Sequence, residues 1–306
     1  MYDEALIELA AEADLQLRSN LAYHAPFLAR SVDSWLEDMF GAASLAEVFT
    51  RIEAFPTLLI PWWLDGSIGE RDRSLHRALT YSTMNGYLYI RLIDNLMDQD
   101  APGDVNLLPA LSFFHLEFID PYRRLFGPGH RFWADLRSVW LETADVTLHD
   151  ATLREIDRST FERVSARKTG AAKIPVAAVC HYRRRLHLQP RWNDFADAFG
   201  RWHQMHNDIF SWRKDAAHGA TTFLLSEGRR QLADGTIEDW FIDAGFDWGI
   251  DQLNAYMSDL KRIADTLEPQ EALAYLGDRE NSLTAQVAEV ETGLAVLAGA
   301  RNALDG

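Results

Sequence analysis

Apolar residues recur along the chain at spacings of three and four, and no segment alternates apolar and polar like a half-buried strand. That periodicity gathers the apolar side chains of each segment onto one face of a helix. Between residues 190 and 215, Phe195, Phe199, Trp202, Met205 and Ile209 form one such stripe. Between residues 74 and 98, Ala78, Met84, Tyr87, Leu88, Leu92 and Leu96 form a second. Gly and Pro fall where helices should stop: Ala101-Pro102-Gly103, Gly127-Pro128-Gly129, Gln189-Pro190, His218-Gly219 and Glu268-Pro269. The pattern predicts about ten helices. With no linker rich in Gly, Ser or Pro and no internal repeat, it predicts one all-α domain, a helical bundle over residues 1–306. The Ala-rich stretch from 269 to 298 reads as a long helix, serving either as internal packing or as the contact of a homodimer.

Composition narrows the picture. Hydrophobic residues at 47% and charged residues at 25% describe a globular chain with enough apolar material for a large core. No uncharged apolar run approaches the roughly 18 residues of a membrane span. The acidic start, Met1-Tyr2-Asp3-Glu4, lacks the basic-then-apolar pattern of a signal peptide. Cys180 is the single cysteine, which excludes an internal disulfide and fits a reducing cytoplasm. Asp and Glu total 46 against 30 Lys and Arg, a net charge of -16, so no nucleic-acid partner is expected. An anionic substrate remains admissible where metal ions carry the positive charge.

Two acidic constellations carry candidate chemistry. In the first, Asp94 and Asp98 stand four residues apart, so a helix brings their carboxylates to one side. Two like charges so placed disfavour a helix by about 0.2–0.5 kcal/mol, a cost that a shared hard cation reverses. Leu92, Ile93, Leu96 and Met97 surround them with apolar surface. In the second, Asn207, Ser211 and Asp215 stand at i, i+4 and i+8, a ladder of amide, hydroxyl and carboxylate oxygens suited to magnesium. Arg213 and Lys214 place cations beside it, and Asp208 either supports the ladder or faces elsewhere. Arg163, Arg167, Lys168, Thr169 and Gly170 form a basic turn about forty residues upstream, where the glycine suggests a helix break. Arg167 and Lys168 are candidates for gripping phosphate oxygens. His203 and His206 flank the second constellation without the spacing of a zinc or di-iron site, and read as packing residues or as supports behind the ligands.

These residues carry a resemblance. Asn207-Asp208-x-x-Ser211-x-x-x-Asp215 resembles the second metal motif of class I terpene cyclases, with Asp in place of the final Glu. Asp94-Asn95-x-x-Asp98 resembles their DDxxD motif with Asn at its second position, and Asp215-x-x-x-Gly219-x-x-Thr222 is similar to a stretch of prenyl synthases. The resemblance covers roughly residues 80–230. It implies the class I isoprenoid synthase bundle with a central apolar cavity. It also implies magnesium, three ions in number, held by Asp94, Asp98, Asn207, Ser211 and Asp215, and an isoprenyl diphosphate as substrate. Arg163, Arg167, Lys168, Gly170 and Lys214 are implied in diphosphate binding, with Asp94, Arg167 and Lys168 in the ionisation step; either Arg163 or Arg167 is the diphosphate sensor. Elongating prenyl synthases carry basic residues shortly after DDxxD, whereas here Asp98 is followed by Gln-Asp-Ala-Pro-Gly-Asp. Asn207 and Ser211 also stand where elongating enzymes carry aspartates. The expected activity is therefore terpene cyclisation, a carbon–oxygen lyase reaction, with chain elongation and a non-catalytic binding protein of the same fold as alternatives. Tyr275 and Arg279 are only loose matches to the late Arg–Tyr pair of cyclases.

Overall fold

The computed structural model describes residues 2–98, 105–232, 234–268 and 270–305, the side chains of Asp98 and of residues 294–305 excepted. Among the described residues there is no strand, and fifteen α-helices follow one another. In order these are α1 (Glu4–His24), α2 (Pro26–Phe40), α3 (Leu45–Thr50), α4 (Leu59–Ile68) and α5 (Arg73–Asp98). Then come α6 (Leu108–Leu125), α7 (Phe132–Thr152), α8 (Arg158–Lys168), α9 (Lys173–Tyr182) and α10 (Gln189–Phe210). The last five are α11 (Trp212–Ala217), α12 (Phe223–Gln231), α13 (Ile237–Trp240), α14 (Phe246–Ala264) and α15 (Gln270–Asp305). The count exceeds the sequence estimate because α3, α11 and α13 span only four to six residues, too short to show a 3.6-residue period. No described helix is long and apolar enough to cross a membrane.

Contacts divide the chain into two compact units. One contains Tyr2–Ala151 and Val164–Gly200. Here α5 lies along α6 and α1. Met84, Leu88 and Leu92 are wholly buried, each worth about 1.5–3 kcal/mol of burial. Ala78, Tyr87 and Leu96 of the expected stripe are only half-buried; Leu75, Leu79, Asn85 and Asn95 share the inward side instead. Polar residues on that side are satisfied locally, as where Ser82 Oγ donates to the Phe118 carbonyl at 2.7 Å. The end of α4 carries a buried ionic knot. Asp65 accepts from Arg183 Nε and a second guanidinium nitrogen at 2.6 and 3.0 Å, from the Asp72 amide at 3.0 Å, and faces His76 Nε2 at 3.1 Å. Burial alone would push this carboxyl up, but the His76 and Arg183 partners prevail and hold it at about 2.

The other unit contains Thr152–Arg163 and the chain from Arg201 onward. Trp202, Met205 and Ile209 of α10 are buried as the sequence stripe predicts, and Phe195 and Phe199 of the same helix are buried in the first unit. Helix α15 begins at Gln270, and its buried residues include Ala272, Tyr275, Leu276, Arg279 and Leu283. Helices α14 and α15 contact each other within this unit.

Candidate functional site

Asp94 lies on the last turns of α5, about a third exposed, with Arg91 Nη1 3.3 Å from its Oδ2. Asn95 is buried and donates from Nδ2 to Met39 Sδ at 3.2 Å. The Asn that replaces the second aspartate of the motif therefore packs against α2, where an ionised carboxylate would be unfavourable. Asp98 closes the helix, but its side chain lies outside the described residues, as does Asp100.

The second motif departs from a single helix. α10 ends at Phe210, Ser211 adopts φ −107° and ψ 1°, and α11 starts at Trp212. That conformation belongs to the sparsely populated bridge region, where functional residues often sit. The backbone register nonetheless continues across the break. Ser211 N donates to Asn207 O at 2.9 Å, and Asp215 N donates to Ser211 O at 3.0 Å. Asn207, Ser211 and Asp215 thus remain stacked on successive turns. Asn207 and Ser211 are exposed and Asp215 is half-buried. Gly219, at φ 69°, supplies the left-handed turn that ends this segment, and Ala220 N returns to Asp215 O at 2.9 Å.

Asp208 faces the opposite way. It is buried, accepts from Gln204 Nε2 at 2.9 Å, and accepts from the Phe223 amide at 3.1 Å. It therefore ties the start of α12 back to α10 and closes the excursion that carries Ser211 and Asp215. Burial raises its carboxyl to about 7, and the charge of Asp215 adds to the rise. Arg213 does not lie beside the ladder as expected. Its guanidinium pairs with Glu238 at 2.7 Å and sits over its neighbour Trp212, which itself stacks on Phe241 at 4.2 Å. These contacts orient α11. Lys214 is exposed.

The basic turn breaks where the sequence suggests, between α8 and a 3₁₀ turn at Gly170–Ala172. Gly200 of α10 crosses this break so closely that a Cβ would meet Thr169 Oγ1 and lie 3.1 Å from the Ser165 carbonyl. Gly170 has a packing reason of its own, since a Cβ there would sit 2.8 Å from Thr143 Oγ1. Arg167 and Lys168 are engaged by carboxylates of α7: Arg167 Nε with Glu142 Oε1 at 3.0 Å, and Lys168 Nζ with Asp150 Oδ2 at 2.6 Å. Arg163 is exposed on α8.

The histidines behave as packing groups. His206 Nε2 stands 2.9 Å from Gln286 Oε1, and its ring tilts against Phe210 at 4.6 Å. Burial, reinforced by Arg279 and His206, lowers His203 to about 3, so its ring is neutral. Arg279, only a loose match to the late Arg–Tyr pair, has a packing role in the structure. It is buried on α15, with its guanidinium 4.7 Å from the Trp202 ring centre. Tyr275 and Arg279 are four apart, so one face of α15 takes both inward. Among the described residues, no three His, Cys, Asp or Glu side chains gather as a metal cluster.

No protein-family profile matches the sequence. No curated protein matches it either. Among solved structures, the chain is similar to a geranylgeranyl pyrophosphate synthetase from the archaeon Geoglobus acetivorans. The TM-score is 0.70 at 15% identity, with 92% of this chain and 99% of that one covered. At that identity the likeness bears on fold, and the fold is the all-helical isoprenoid synthase fold that the motifs resemble.

Proposed function

With the isoprenoid synthase fold as premise, we propose that this protein is a magnesium-dependent enzyme that ionises a linear isoprenyl diphosphate and releases diphosphate, in the manner of a terpene cyclase. The observation that carries the reading is the ladder of Asn207, Ser211 and Asp215. It keeps its i, i+4, i+8 register through a helix break, with oxygen donors on exposed and half-buried positions. The donors suit a hard cation: amide, hydroxyl and carboxylate oxygens, with no thiolate or imidazole among them. Magnesium would be held by these three residues and, at the first motif, by Asp94 and Asp98. When bound, it supplies positive charge that stabilises the departing diphosphate.

The remaining work falls to the chain itself. Asp208 fixes the return from the ladder to α12, so Ser211 and Asp215 are placed by a closed loop. Arg167 and Lys168, with Arg163 and Lys214, are the cations assigned to phosphate oxygens. Arg167 and Lys168 must first exchange Glu142 and Asp150 for the substrate. For Arg167 and Glu142, each about half exposed, that exchange costs about 0–1 kcal/mol, whereas Lys168 and Asp150, at 29% and 23% exposure, hold each other more firmly.

Chain elongation is the second reading, favoured by the likeness to a geranylgeranyl pyrophosphate synthetase. Against it stand Asn207 and Ser211 in place of aspartates, and the acidic run after Asp98 in place of a basic one. Incubation with farnesyl diphosphate alone, and then with isopentenyl diphosphate added, separates the two. Hydrocarbon or alcohol products from farnesyl diphosphate alone support ionisation, whereas longer diphosphates formed only with the second substrate would establish elongation.

A further inference from the structure

The turn from α9 into α10 is unusually basic for so acidic a chain. Residues 182–191 contain Arg183, Arg184, Arg185, His187 and Arg191 and no Asp or Glu, within a protein of net charge -16. Arg183 has a structural task, holding Asp65. Arg184, Arg185 and Arg191 are exposed, and among the described residues none has a carboxylate within ion-pair distance.

Local stability does not account for two of these three. Helix α9 ends in a Schellman motif: Arg185 N donates to Cys180 O at 2.8 Å and Arg184 N to His181 O at 3.2 Å. Arg184 occupies the left-handed position of that motif at φ 56°, the sole non-glycine residue with positive φ among the described residues. Glycine is the favoured residue there, because a side chain in this conformation crowds its own backbone. Arg191 is the third residue of α10, where a cation opposes the helix dipole. Side chains that run against local preference point to a task outside the fold. Between them, in the 3₁₀ turn Leu186–Leu188, Leu186 is 41% exposed, and Tyr182 beside it is 40% exposed.

We propose that this corner, formed by Arg184, Arg185, Leu186 and Arg191, is a docking surface for an anionic lipid bilayer. Arginines meet lipid phosphates while Leu186 enters the interface, a combination that suits a membrane surface better than a purely polar partner. Nucleic acid is disfavoured, because three cations give a small footprint on its backbone and the exposed Leu186 has no role there. The acidic surface elsewhere does not prevent docking, since at physiological salt charges beyond about 8 Å are screened.

The test is co-sedimentation of the full chain with vesicles of phosphatidylcholine alone, or of equimolar phosphatidylcholine and phosphatidylglycerol. The wild type should pellet with the mixed vesicles and not with the neutral ones, and added salt should release it. Binding should fall about fivefold for each arginine removed in Arg184→Gly, Arg185→Gln and Arg191→Gln. Arg184→Gly is the decisive variant, because it should raise the melting temperature while weakening binding, which loss of folding cannot mimic. Leu186→Ser should weaken binding and leave its salt dependence unchanged. Equal pelleting with both vesicles, no pelleting, or undiminished binding by the triple variant would overturn the proposal. So would binding indifferent to Leu186→Ser and abolished by inorganic pyrophosphate, which would assign the corner to a soluble anion. A wild-type dimer that the triple variant dissociates, without vesicle binding, would assign it to an acidic face of a second copy. None of these readouts uses turnover, so the result stands apart from the proposed activity.

Discussion

The side chains that matter most divide by where their oxygens point. Asn207, Ser211 and Asp215 offer theirs outward from successive turns, whereas Asp208, one residue from the first of them, turns inward. If the three outward residues share one ion, they act as a unit. Asn207→Ala, Ser211→Ala and Asp215→Ala should each reduce magnesium-dependent turnover by on the order of tenfold or more, with double variants falling short of the product. Steady-state kinetics across a magnesium titration reads this, and fully multiplicative losses would show that the three do not share a metal. Asp208 predicts a different signature. Asp208→Leu leaves the Phe223 amide without its acceptor and should cost about 1–3 kcal/mol in denaturant unfolding. Asp208→Asn retains an acceptor oxygen and should cost less. The sequence spelled Asp208 and Asn95 as parts of motifs, but composition cannot say which side of a helix a motif residue takes. That depended on Phe223 and Met39, fifteen residues later and fifty-six earlier in the chain.

At the scale of elements, close approaches and one buried charge hold the helices in place. α8 and α10 meet at Gly200, and there an added methyl group would press on Thr169 and on the Ser165 carbonyl, which cannot move without disturbing α8. Gly200→Ala should therefore destabilise by about 1–3 kcal/mol, measured by thermal or denaturant unfolding. A neutral result would mean the two helices separate easily at the break. Asp65 governs the join between α4, the start of α5 and α9. Its folded value of about 2 lies below the ordinary 3.8, so as pH falls the unfolded chain takes up the proton first. The ionised knot therefore stabilises the fold fully above about pH 4, and roughly 2 kcal/mol is lost as pH falls from 3.8 to about 2. Asp65→Asn should cost about 3–5 kcal/mol at neutral pH by leaving Arg183 and His76 without their anion, and should flatten the acid limb of unfolding in that window. An unchanged acid limb would show that other carboxylates set it. Long helices such as α5, α10 and α15 were legible from periodicity, and the Gly–Pro punctuation between α6 and α7 marked a real turn. The break at Ser211 was not, because the apolar stripe runs into it without interruption and the backbone register persists through it. Nor was the capture of Arg213 by Glu238, a contact made after the chain has turned back through α12.

For the whole molecule, the acidic balance and the paired oxygen motifs lead to one chemical expectation. A chain of net charge -16 binds a diphosphate only where cations are concentrated against it, by metal ions and by a few arginines and lysines. The resemblance to class I enzymes was legible because side chains on one helical face keep a four-residue rhythm whatever the surrounding sequence does. The length of the proposed substrate was not legible, because it would depend on which apolar side chains line its cavity, and periodicity marks all inward residues alike. The measurement that tests the central claim most directly is release of inorganic pyrophosphate from geranyl, farnesyl and geranylgeranyl diphosphates, each supplied without a second substrate. The account predicts release from at least one of them that requires magnesium, is lost on chelation, and is impaired by Asp94→Ala without loss of the fold. Release that persists undiminished after exhaustive chelation, or no release from any of the three with magnesium present, would contradict it.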